Sequence, residues 1–168
     1  EIMDKHEKKY EYDLKNFSFE QRSFENISFK NVHYDEGEII KHLDKLIYES
    51  VKSNMLSDVN LCVSFSGGLD SSIILAIAKE INPKIKAFTV KRGDDDIDYI
   101  FSKKICNYLS VDQEVINFCS FNKEENFREL FSYYDQPIMC SSIFSTFCLY
   151  QSISKKNFKV CLTGDGAD

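Results

Sequence analysis

Two stretches of this sequence concentrate residues able to do chemistry: SFSGGLDSS at 64–72 and TGDGAD at 163–168. The chain holds only six glycines in 168 residues, and Gly67, Gly68, Gly164 and Gly166 fall in these two places. A glycine turn that runs from a strand straight into a helix aims backbone N–H groups and the positive end of the helix dipole at one point. A phosphate or pyrophosphate suits that point. Gly67 and Gly68 admit close approach of the backbone, and the hydroxyls of Ser66, Ser71 and Ser72 add donors. Asp70 would repel a polyphosphate unless a divalent cation lay between them, so its presence calls for Mg2+. The plain alternative is a tight connection in which Ser and Asp act as ordinary N-caps. The full SGGLDSS, placed after a strand and before a helix, meets the context that the nucleotide reading requires. Neither G-x-x-x-x-G-K-[ST] nor G-x-G-x-x-G is present, which removes support from γ-phosphate transfer and from dinucleotide redox chemistry.

The flanking pattern supplies that context. Val59–Phe65 is short and rich in β-formers, and a helix from about Asp70 to Ile81 ends at Asn82-Pro83. Strand and helix then alternate: Ile85–Val90, Ile97–Leu109 with Ile97, Phe101 and Ile105 on one face, Val111–Phe118, Glu124–Tyr134, Ile143–Lys155 and Phe158–Thr163. An amphipathic helix from Asp35 precedes them, with Ile39, Ile40, Leu43, Leu46, Ile47 and Val51 at helical spacing. Alternation of this kind predicts an α/β fold, a parallel sheet with helices on both faces. Ligands bind such sheets beyond the carboxyl ends of the strands, where the winding reverses, and both glycine-rich stretches fall at such ends.

Residues 1–34 scatter aromatics among charges without steady period and read as a linker or interdomain arm, leaving 35–168 as the nucleotide-binding part. A net charge of −6 and a pI near 5.2 argue against nucleic acid or anionic lipid as partner. The six cysteines show no C-x-x-C spacing and mostly have apolar neighbours, as expected of reduced core residues in a cytoplasmic protein. No apolar run approaches the roughly 18 residues that span a membrane. His6, His33 and His42 lack ligand spacing, and the acidic run Asp94-Asp95-Asp96 reads as a solvated loop. A start at Glu1 and a stop just after a glycine-rich turn suggest an excerpt, truncated at the C-terminus, of a longer protein.

SGGLDSS resembles the pyrophosphate loop of the ATP pyrophosphatases (PP-loop superfamily). DVNLCVSFSGGLDSS, AFTV, DQPIMCSS and VCLTGDGAD, in that order, resemble the synthetase domain of the glutamine-dependent asparagine synthetase family over about residues 36–168. The resemblance implies an adenine nucleotide alpha hydrolase-like (HUP/PP-loop) fold. It implies that Ser66, Gly67, Gly68, Leu69, Asp70, Ser71 and Ser72 hold the β,γ-pyrophosphate of ATP. By the same resemblance, backbone around Phe65 and Val90 flanks the adenine and Thr163-Gly164 lies against the nucleotide. Asp70 and Asp168 would hold Mg2+, and Asp165 would be the catalytic acidic residue that serves the acyl-adenylate. Phe65 stands where the family has an aliphatic residue, Lys91 where it has glycine, and Gln136 where it has glutamate.

The function so implied is an ATP-dependent amide-forming ligase. It would activate a carboxylate, by default aspartate, as an acyl-adenylate and then amidate it with ammonia that a glutaminase domain of the same full-length chain releases from glutamine. A homodimer belongs to the same expectation, and the fragment alone is expected to be inactive. Relatives that close β-lactam rings or lactam peptides or amidate surface sugars share these loops. A tRNA-modifying pyrophosphatase and a nonenzymatic adenine-nucleotide sensor are the remaining alternatives. The acidic charge and TGDGAD weigh against the first, and the joint presence of Asp70, Asp165 and Asp168 weighs against the second.

Overall fold

The computed structural model of the chain describes residues 8–13, 15, 18–23, 35–118, 123–134 and 140–166. These fall into two units, 1–39 and 40–168. In the first, β1 (Lys8–Asp13) and β2 (Ser18–Ser23) pair antiparallel, in a register that sets Tyr10 opposite Gln21 and Tyr12 opposite Phe19. The sequence reading expects no strand pairing there. KKYEYD does alternate aromatic and charged residues, but over a run too short to stand out from its irregular surroundings.

Helix α1 (Glu36–Asn54) opens with the Asp35 carboxylate accepting the Gly37 N–H at 3.1 Å. The second unit then alternates β3 (Leu61–Ser64), α2 (Leu69–Ile81), β4 (Lys86–Lys91), α3 (Ile97–Leu109) and β5 (Asp112–Asn117). It continues with α4 (Lys123–Ser132), α5 (Ser142–Lys155) and β6 (Val160–Leu162). These elements match the expected order, with ends shifted by a few residues. The four strands form one parallel sheet in the order β5-β4-β3-β6.

Side chains of the inner strands alternate between two apolar layers, as the period of a strand requires. Leu61, Val63, Phe65, Ala87 and Leu162 face a layer built with Leu75 and Ala78 of α2, Cys106 of α3, and Val51 and Met55. Cys62, Phe88, Val90 and Cys161 face Leu149 and Ile153 of α5, and Phe158 closes edge-on over Phe88 at 5.2 Å. Helices therefore cover both faces, the expected α/β arrangement. Phe65 and Phe88, both fully buried, each contribute about 1.5–3 kcal/mol of burial free energy.

Two helix faces differ from the sequence reading. On α1 the core is met only by Ile47, Val51 and the following Met55, while Ile40, Leu43 and Leu46 stay exposed. On α3 Ile97 and Phe101 are exposed, and Ser102 and Cys106 are the buried pair. The loop at Gly67 lies on the backbone of α3 at Asp98 and Ser102, while Cys106 joins the core layer.

Candidate functional site

Winding runs from β3 outward through β4 to β5, and β6 returns to the other side of β3. The carboxyl ends of β3 and β6 thus sit side by side at the point of reversal. SGGLDSS leaves one and TGDG leaves the other, so residues about a hundred apart in sequence meet in space.

They enclose a cavity of about 330 Å3 lined by Ser64, Ser66, Gly68, Asp70, Ser71, Thr163, Gly164, Asp165 and Gly166. Gly68 caps α2 with φ −73° and ψ 167° and offers no side chain to the first-turn N–H groups. The amides of Leu69, Asp70 and Ser71 therefore have no intrahelical acceptor and open an anion site. Ser66 Oγ lies 3.1 Å from Ser71 Oγ and accepts the Gly68 N–H at 3.3 Å. Ser72 Oγ instead donates to the Gly68 carbonyl at 2.6 Å, and neither Ser72 nor Leu69 lines the cavity.

The glycines have structural reasons that differ from close approach to an anion. Gly67 has φ +83°, and a Cβ there would come within 2.6 Å of Ser102 N and 2.8 Å of Asp98 O. Its role is to let the loop lie directly on α3. Gly164 faces α2 in the same manner, with Asp70 Cβ and Ser71 N each 3.2 Å from where its Cβ would stand.

A second cavity, about 150 Å3, adjoins the first through Ser64 and Ser66 and is lined also by Phe65, Phe88, Val90, Arg92, Asp98, Ser145 and Leu149. Phe65 is tied to β4 twice, its N–H donating to Phe88 O at 2.8 Å and its carbonyl accepting from Thr89 Oγ1 at 2.8 Å. Beneath it Gln113 Nε2 donates to Thr89 Oγ1 and to Ser102 Oγ, both at 2.9 Å, so Thr89 and Ser102 are buried with partners.

The acidic run is not uniformly solvated. Asp94 is fully exposed and pairs with Lys91, whose ammonium also lies 5.1 Å from the Tyr99 ring centre. Asp96 has only 4% of its side chain exposed and takes the Arg92 guanidinium and backbone N–H. Burial works to raise its carboxyl, yet the hydrogen bonds and charge of Arg92 hold it below the ordinary carboxylate range. A run of three aspartates hides this difference, which the arginine two positions upstream of the run signals.

Of the candidate site residues, Ser66, Gly68, Asp70, Ser71, Thr163, Gly164 and Asp165 come together around the first cavity, and Phe65 and Val90 around the second. Asp168 lies outside the described residues. Among those residues no three His, Cys, Asp or Glu side chains gather into a metal cluster. The donor set at hand, Asp70 with neighbouring hydroxyls, is the hard oxygen set that suits Mg2+ shared with phosphate and water. Sequence reasoning passed over Ser64, Arg92, Asp98 and Tyr150. The Tyr150 phenol is pushed up by burial and then by Cys161, Asp165 and Cys62, which places it within electrostatic reach of the TGDG loop.

An all-parallel sheet with a serine and glycine cradle at its switch point defines an α/β protein with a candidate anion site at the carboxyl ends of its strands. The chain belongs to the asparagine synthase family, whose sequence model matches residues 42–168. It is 31% identical over 145 residues to asparagine synthetase [glutamine-hydrolyzing] 1 of Bacillus subtilis, covering 82% of this chain and 22% of that protein. It is 33% identical over 143 residues to a Methanocaldococcus jannaschii protein provisionally named asparagine synthetase [glutamine-hydrolyzing] 2, covering 80% of this chain and 26% of the other. The chain thus spans about a quarter of the length of these relatives. Among solved structures, an NH3-dependent NAD synthetase from Campylobacter jejuni matches with TM-score 0.47 and 17% identity, over 76% of this chain and 56% of that one. At that level the fold assignment rests on the observed topology itself. Among the described residues no helix is long and apolar enough to cross a membrane.

Proposed function

We propose that the chain forms the ATP-binding part of an amide-forming ligase that activates a carboxylate as an acyl-adenylate. The observation that carries this reading is the meeting of the SGGLDSS helix start with the TGDG loop, Gly164 packed on Asp70 and Ser71. A phosphate cradle alone explains binding of an anion. Two acidic loops around one cavity, next to a second cavity bordered by Phe65 and Val90, suit a nucleotide cleaved between its α and β phosphates.

In this reading a carboxylate oxygen attacks the α-phosphorus, the bond to the β-phosphate oxygen breaks, and pyrophosphate leaves into the cradle. Ammonia then attacks the acyl carbon and loses a proton, and AMP departs. The amides of Leu69, Asp70 and Ser71 and the Ser66 hydroxyl hold the departing pyrophosphate; their fixed placement lowers the barrier because no reorganisation is needed as charge develops. Asp165 faces the same cavity and is assigned to forming and using the adenylate. Mg2+ held by Asp70 and Asp168 would supply charge neutralisation on the phosphates.

Aspartate is the default acceptor, with ammonia drawn from glutamine by a glutaminase domain of the full-length chain. The test is to supply full-length protein with ATP, Mg2+, aspartate and amide-labelled glutamine. Labelled asparagine together with AMP and pyrophosphate is expected. Formation of ADP, or of AMP and pyrophosphate with no amide, contradicts the proposal.

A further inference from the structure

Ser64 ends β3, and it shares with Ser66 the position of bordering both cavities. Ser66 belongs to the cradle, its hydroxyl engaged with Ser71 Oγ and the Gly68 N–H. The proposed function leaves Ser64 without a task. The strand period gives its side chain a direction: Cys62 belongs to the apolar layer under α5, Val63 to the layer on the opposite face, and Ser64 returns to the α5 side. Its register partner on β4, Phe88, belongs to that same layer and lines the second cavity together with Val90 and Leu149.

A valine or isoleucine here would continue both the strand and the apolar layer. The chain instead carries a hydroxyl, and among the described residues that hydroxyl is bonded to no other group. Its neighbours use theirs: Ser71 and Ser72 donate to the Gly68 carbonyl, and Ser145, across the second cavity, donates to the Ser142 carbonyl. Ser64 is half-buried, and its oxygen is not sealed in the core, since every fully buried side-chain oxygen among the described residues has a partner. A free donor therefore stands at the seam where a ligand passes from one cavity into the other.

The order of groups in the ligand decides what meets that donor. With pyrophosphate in the cradle and the base beyond Phe65 and Val90, the groups between them are the α-phosphate and the ribose. The α-phosphate is the charged one, and hydrogen bonds to charged acceptors are roughly twice as strong as those to neutral ones. We propose that Ser64 is a further catalytic residue, whose hydroxyl donates to a non-bridging oxygen of the α-phosphate and stabilises the charge there while the carboxylate attacks phosphorus. The assignment rests on the reading of the site as one for ATP. The cradle holds the leaving group, and Ser64 holds the centre at which the bond to pyrophosphate breaks. The hydroxyl keeps its proton throughout.

The test titrates full-length protein, wild type and S64A, with adenosine, with AMP, and with pyrophosphate in the presence of Mg2+. The substitution removes no bonded group and should leave Tm within a degree or two, as for a surface change of about 0.5 kcal/mol or less. Loss of one hydrogen bond to a charged oxygen predicts that AMP affinity falls about tenfold in S64A, with adenosine and pyrophosphate each within about twofold of wild type. Unchanged AMP affinity overturns the proposal. An equal loss for adenosine also overturns it, because the hydroxyl would then serve the ribose, and an equal loss for pyrophosphate would make Ser64 part of the cradle. If wild type binds pyrophosphate but neither AMP nor ATP, the nucleotide reading itself fails, before any variant is compared, and takes this one with it.

Discussion

Gly164 stands so close to Asp70 that a Cβ on the glycine would lie 3.2 Å from the aspartate Cβ, and equally 3.2 Å from Ser71 N. The loop after β6 is thereby seated on the first turn of α2, and the two ends of one site are set by backbone contact. G164A should force α2 and the loop apart by a few tenths of an ångström and weaken ATP binding severalfold with a small change in Tm. G67A differs in kind, because φ +83° and a backbone neighbour at 2.6 Å both oppose a side chain. It should destabilise the fold by on the order of 1–3 kcal/mol from conformation alone, more from the clash, readable in urea unfolding. If G67A unfolds like wild type, the packing of the loop on α3 is wrong.

Asp70 and Asp165 are exposed and line the cavity from its two sides. D165N should leave Tm nearly unchanged, since exposed positions away from caps and cores shift stability by about 0.5 kcal/mol or less, whereas D70N should cost on the order of 0.3–1 kcal/mol by removing a charge from the first turn of α2. Adenylation should fall about a hundredfold or more in each. D70N should also lose the Mg2+ dependence of pyrophosphate binding, and D165N should retain it. Equal effects of both substitutions on pyrophosphate binding would remove the division of roles.

The order of elements and the place of both loops were legible because strand and helix periods are local and glycine is rare in this chain. What escaped were features set by distance in space. Ser102 and Cys106 became the buried face of α3 although Ile97 and Phe101 are larger, Ser102 where the loop at Gly67 lies on the helix backbone and Cys106 in the core layer. Asp96 is the exception: its partner Arg92 stands only four positions upstream, and what the run of aspartates hides is that Asp96 alone of the three is buried. Ser64 looks like the last residue of a strand, and only the meeting of β3 with β6 makes it part of two cavity walls.

The Asp96 carboxyl sits below its ordinary value in the folded protein, with Arg92 overcoming the opposing effect of burial. The unfolded chain therefore binds the proton more readily, and stability rises with pH through this window. The contribution is complete above the ordinary aspartate range near pH 4 and is lost as pH falls through the lower folded value. Urea unfolding between pH 2 and 6 should show this as a slope that D96N reduces. A steeper acid loss in D96N would contradict the pairing.

Among the described cysteines, Cys62, Cys106 and Cys148 are buried and Cys140 is exposed. Burial pushes the Cys106 thiol up to about 11. The hydrogen bond with Cys161, its register partner on β6, and then burial push Cys62 up as well. Native protein treated with iodoacetamide at pH 8 should carry label on exposed Cys140 well before Cys106, whose raised pKa cuts its thiolate population by about a hundredfold from that of an ordinary thiol. Peptide mass spectrometry reads the order, and early labelling of Cys106 or Cys62 would contradict the packing of the two core layers.

The central claim is cleavage of ATP between its α and β phosphates at the junction of SGGLDSS and TGDG. Carboxylate-dependent exchange of labelled pyrophosphate into ATP by the full-length protein tests it most directly. Exchange that requires Mg2+ and one small carboxylate, with aspartate first in the panel, and that D70N abolishes is the predicted result. Absence of exchange with every carboxylate tried, in protein that binds ATP, would contradict it.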